Sequence, residues 1–87
     1  MSTTITNIEP GFNAAHFNGV VLYYSFGTLI GVQDGPNLFV SVSYWLGETE
    51  KHLGMLRYTQ APDIIVETVT LDIVHERMRE AMRRVFA

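Results

Sequence analysis

Four consecutive residues, Thr49-Glu50-Lys51-His52, hold the most reactive grouping in this 87-residue chain. If they form a helical turn, Thr49 and His52 share a face, as do Glu48 and His52. A carboxylate beside an imidazole can orient it and favour its protonated form, which is how a general acid or base is prepared. The same residues also read as a capped and solvated turn, with Thr49 as N-cap, Glu50 early in the helix and Lys51 outside. The other histidines, His16 and His75, sit in less suggestive settings. No pair of histidines has a ligand spacing such as H-x-x-x-H, and the chain has no cysteine, so no metal, cofactor or disulfide is expected.

Nucleophiles lack a setting at this level. Ser25, Ser41 and Ser43 fall within predicted strands, and there is no G-x-S-x-G elbow, G-x-G-x-x-G turn or phosphate loop. Catalysis is therefore not expected. The aromatic residues Tyr23, Tyr24, Phe26, Phe39, Tyr44 and Trp45 can stack bases, but a single-strand binder interleaves such residues with cations. Residues 1–50 contain no Lys or Arg. Tyr and Trp also anchor protein interfaces. The candidate binding surface on this reading is Tyr24, Tyr44, Trp45, Glu48, Thr49, Lys51 and His52.

Charge supports the same ranking. The net charge is −3, from 9 acidic and 6 basic residues. Arg77, Arg79, Arg83 and Arg84 set against Asp72, Glu76 and Glu80 leave +1 on the C-terminal segment and −4 on the rest of the chain. Nucleic-acid binding by this Arg-bearing helix is thus an alternative rather than the leading expectation. A small-ligand or nucleotide site at Thr49, Lys51 and His52 is a further alternative.

The elements that must position these groups follow from the pattern. At 87 residues the chain has room for one domain, with a hydrophobic fraction of 47% that suits a folded protein. Residues 1–19 read as an irregular lead-in, with turn signals at Pro10-Gly11 and Asn18-Gly19. Residues 20–45 read as a β-meander, with a type II′ turn starting at Gly27 and a second turn at Asp34–Asn37. Residues 48–58 read as a short helix or ordered turn anchored by Leu53 and Leu56, and residues 64–66 as a short strand. From 69 to 86, Leu71, Val74, Met78, Ala81, Met82 and Val85 keep the 3.6-residue period of an amphipathic helix. Thr68 or Thr70 is its candidate N-cap. The expected fold is α+β, a three- to four-stranded antiparallel sheet with the C-terminal helix packed on one face.

Tyr24-Ser25-Phe26-Gly27-Thr28-Leu29-Ile30-Gly31, a turn, Leu38-Phe39-Val40 and then Thr49-Glu50-Lys51-His52 together resemble an uncharacterised family of small phage and mobile-element domains. That family carries a Ser-Tyr-x-Thr segment before a strand pair and a Ser-x-Thr-Thr-x-Lys-His segment after it. Phe26 stands where its tyrosine is usual, Leu46 where its serine is, and Glu48 where its first threonine is. The resemblance covers residues 21–75 and implies a phage-type context, with no activity attached.

The function expected is a non-catalytic protein-binding module, phage-encoded, that inhibits or modulates a host protein such as a defence protein by surface contact. Apolar surplus adds an expectation of homodimerisation. No basic-then-apolar leader is visible, and the longest apolar run, Val20–Tyr24, is too short to span a bilayer. A cytoplasmic protein without membrane contact is expected.

Overall fold

Glycines recur every eight residues at 11, 19, 27 and 35, and each has a positive φ. Glycine reaches that region without the Cβ clash other residues meet, so each is a place where the chain can reverse tightly. A computed structural model describes residues 4–42, 47–58 and 61–86. In it the four reversals join five strands by two-residue connections: β1 (Thr4–Glu9), β2 (Phe12–Phe17), β3 (Val20–Ser25), β4 (Thr28–Asp34) and β5 (Asn37–Ser41). These five pair in order as an antiparallel meander. After α1 (Glu48–Tyr58), β6 (Ile65–Val69) pairs parallel to β5, and α2 (Leu71–Val85) closes the chain.

The fold is α+β, with a six-stranded, mostly antiparallel sheet in the order β1 to β6 and a C-terminal helix. Three to four strands were too few. The lead-in supplies β1 and β2: β1 (TITNIE) is exposed at five of its six positions, and β2 (FNAAHF) fills strand positions with Asn, two Ala and His, residues of low or neutral strand preference. The third hairpin turn is also one residue earlier than its sequence suggests. Phe26 and Gly27 both have positive φ, 49° and 83°, which is the type I′ arrangement rather than II′.

Alternation splits the core into two layers. On one face, Phe12, Ile30, Leu38 and Val40 pack with Leu53 and Leu56 of α1. On the other, Val20, Leu22, Leu29 and Val32 pack with Val74 and Ala81 of α2, flanked by Met78, Met82 and Val85. The C-terminal helix packs on one face as expected, and α1 covers part of the other. A bulge in β4 opposite Tyr23 and Tyr24 shifts the alternation, so that Leu29 and Val32, three positions apart, serve the same layer. Thr70 is the N-cap of α2 by backbone only: its carbonyl accepts from the N–H groups of Ile73 and Val74, and its side chain makes no cap bond.

Candidate functional site

The turns at Pro10-Gly11 and Phe26-Gly27 lie at the same end of the sheet, because Phe12 pairs with Ser25. The first half of α1 packs against this end. Gly47 accepts the Lys51 N–H, so the helix begins ahead of Thr49, whose hydroxyl is free for another task. Thr49 is not the N-cap.

That task is a buried polar chain. Ser25 Oγ donates to Thr49 Oγ1 at 2.9 Å and lies 2.7 Å from His52 Nδ1. With its proton directed at Thr49, Ser25 Oγ can accept from His52 in the tautomer that carries its proton on Nδ1. On the far side of the ring, Nε2 lies 2.9 Å from Glu9 Oε1. This contact is close but not a well-formed hydrogen bond: both atoms are buried and neither has a partner of suitable geometry. The carboxylate oxygen thus lies off the axis along which Nε2 would donate. Lys51 Nζ completes the cluster, 3.4 Å from Glu9 Oε2 and 3.8 Å from Glu48 Oε2.

Two aromatic rings enclose the imidazole. Phe12 stacks on it at 4.6 Å and 11°, and Phe26 tilts over it at 5.6 Å. Phe26 holds its place from a left-handed backbone, φ 49°, which costs a non-glycine residue about 1–2 kcal/mol. Its N–H donates to the Gly11 carbonyl at 2.7 Å. Gly11 has to be glycine on two counts: φ is 81°, and a Cβ there would sit 2.2 Å from the Phe26 ring.

The arrangement has the membership of a Ser-His-Glu triad, but Ser25 is 1% exposed and His52 0%. A nucleophile must reach its substrate, so the geometry speaks for a sealed network. What the cluster can offer is cation ligation: Glu9, Glu48 and His52 each place one ligand atom within 4.8 Å of the others.

The predicted surface divides. Glu48 and Lys51 are exposed, Thr49 is half-buried, and His52 is buried, so His52 is not a surface residue. Tyr24 packs in the α2 layer on the opposite side of the sheet. Tyr44 and Trp45 lie outside the described residues. The carboxylate against the imidazole is Glu9 rather than Glu48. Sequence reasoning missed Glu9 and undervalued Ser25, because their partner lies 43 and 27 positions away.

Of the arginines, Arg84 pairs with Asp34, and Arg77 pairs with Glu80 at 3.2 Å while lying over the Phe39 ring. Arg79 and Arg83 are exposed without an ion pair among the described residues. Half of the predicted basic face is thus spent internally. An open cleft of about 540 Å³ lies at the other end of the strands, lined by Thr4, His16, Asn18, Val21 and Gln33 among others. It does not include Glu9, Glu48 or His52. Tyr23, in the α1 layer, donates to Gln33 Oε1 at 3.2 Å, and burial raises its phenol above the ordinary value of 10.0.

No family model, curated protein or solved structure matches the chain. Among the described residues no helix is long and apolar enough to cross a membrane.

Proposed function

We propose that the protein is a non-catalytic binding module that takes an extended segment of a partner protein onto the open edge of β1. The carrying observation is that edge itself. Among the described residues β1 has a neighbour on one side only, and Thr4 to Ile8 are exposed throughout. Ile5 is 71% exposed and Ile8 40%. The strand contains no Lys, Arg or Pro, the residues with which exposed edges are usually blunted. Such an edge offers unpaired N–H and C=O groups as a template for strand addition, with side chains such as Ile5 adding contact.

The net acidity and the resemblance to phage-type domains support a host protein in the host cytoplasm as the partner, inhibited by having a surface occupied. The sealed Ser25–His52 network supports a non-catalytic role. Nucleic-acid binding has less support, since Arg77 and Arg84 are already paired.

Affinity capture from a bacterial lysate tests the reading. The wild-type chain is expected to retain a stoichiometric protein that an Ile5→Lys, Ile8→Lys double variant of unchanged melting temperature releases. Absence of a partner, or retention by the variant, refutes it. Light scattering separates a second occupant class: a dimer that the double variant dissolves assigns the edge to another copy of the chain.

A further inference from the structure

We infer that Glu9, Glu48 and His52 form a binding site for a divalent transition-metal ion, with Lys51 as its built-in competitor. Convergence comes first. His52 Nε2 and one oxygen from each carboxylate lie within 4.8 Å of one another, supplied by the end of β1 and the first turns of α1.

Acidic clusters are common on surfaces; a buried imidazole aimed into one is not. His52 is 0% exposed, and its Nε2 and Glu9 Oε1 are buried without a hydrogen bond although 2.9 Å apart. A hydrogen bond needs its oxygen near the N–H axis. Two ligands of one ion need the reverse, an oxygen off that axis. A 2.9 Å separation corresponds to two bonds of about 2.05 Å that meet at about 90°, the cis angle of a five- or six-coordinate ion, and a tetrahedral ion would draw the two atoms apart to about 3.3 Å. The contact is poor as a hydrogen bond and reasonable as a pair of cis ligands.

The other ring nitrogen points the same way. In the tautomer with its proton on Nδ1, that N–H donates to Ser25 Oγ, which donates in turn to Thr49, and the Nε2 lone pair is then available to an ion. Metal-bound histidines are characteristically held this way through their second nitrogen. Phe12 and Phe26 fix the ring plane.

Lys51 shows that the position stabilises positive charge, since its ammonium group lies against both carboxylates. Its side chain is 58% exposed and that of Glu48 61%, so Lys51 can swing into water and let an ion enter from the solvent side. One imidazole with two carboxylates suits Zn²⁺ and its first-row neighbours better than Mg²⁺ or Ca²⁺, which prefer all-oxygen sites.

The test is titration of the full chain with Zn²⁺ alone, followed by calorimetry and thermal melting. One ion per chain is expected, with a rise in melting temperature. Glu48→Gln is expected to weaken uptake by about ten-fold or more while leaving the metal-free melting temperature unchanged. Lys51→Ala should tighten uptake, because the competing ammonium is gone; a purely structural ion pair predicts no such gain. Long-range proton–nitrogen spectra should show His52 Nε2 moving, with His16 and His75 still. The site is refuted by no uptake at a hundred-fold excess of Zn²⁺. It is equally refuted by uptake that neither substitution alters, by a Lys51→Ala variant that binds more weakly, or by shifts confined to His16 or His75.

Discussion

The two helices cover opposite faces of one sheet by different physics. α2 lays an apolar stripe on Val20, Leu22, Leu29 and Val32, and keeps its charges at the rim, where Arg84 meets Asp34. Its seal depends on shape and area, with the rim pair adding about 0–1 kcal/mol at most. α1 contributes two leucines to its layer and spends a buried position on His52. Around that ring it needs Ser25, Thr49, Glu9 and Lys51 to satisfy what burial would otherwise penalise. An apolar seal tolerates small shifts. A polar network rewards one arrangement and penalises its neighbours. The α1 face is thus the more specific and the more costly of the two.

The largest break should come from the ring itself. His52→Leu leaves Ser25 and Glu9 facing an apolar group and is expected to cost about 2–3 kcal/mol. Adding Ser25→Ala should return part of that loss, which a cavity alone would not do. Chemical denaturation of both variants measures it, and equal stabilities would show that the network contributes little. The turn beneath Phe26 comes next. Gly11→Ala is expected to cost about 2 kcal/mol from its φ and the ring overlap together, and Gly19→Ala about 1 kcal/mol, because open space surrounds Gly19. Combining Gly11→Ala with Phe26→Ala should narrow the gap; if it does not, the Phe26 lid is not what constrains Gly11.

The smallest effect concerns pH. The Tyr23 phenol has a raised pKa in the folded chain because burial disfavours its charged form. The folded state therefore holds that proton longer than the unfolded one. Its contribution is present below pH 10 and is lost as pH rises past 10 through the folded value. Tyr23→Phe should flatten the alkaline fall in melting temperature, and an unchanged slope would place the loss elsewhere.

Much of this architecture was legible along the chain. The Pro10-Gly11 and Asn18-Gly19 turns, the alternation in β5, the leucine anchors of α1 and the apolar stripe of α2 are local patterns that local physics enforces. The eight-residue glycine spacing also predicts equal hairpins, and following it back through residues 1–19 would have revealed β1 and β2. Propensity alone pointed the other way there, since β1 is exposed along nearly its whole length and β2 places Asn, two Ala and His at strand positions. The turn at Phe26-Gly27 was misread for a related reason: a bulky residue with positive φ is disfavoured by itself and is held only by its contacts with Gly11 and His52.

What the sequence determined by itself is therefore both helices, most of the turns and the strands from β3 to β5, since periodicity and turn chemistry act over fewer than ten residues. Tertiary structure decided their use. It set β6 parallel to β5, gave each face its own helix, and buried His52, a residue whose neighbours Glu48 and Lys51 stay in water. It also brought Glu9 and Ser25 to that ring. No short-range pattern encodes such a meeting, because only the pairing of β2 with β3 and the docking of α1 bring the three residues to one end of the sheet.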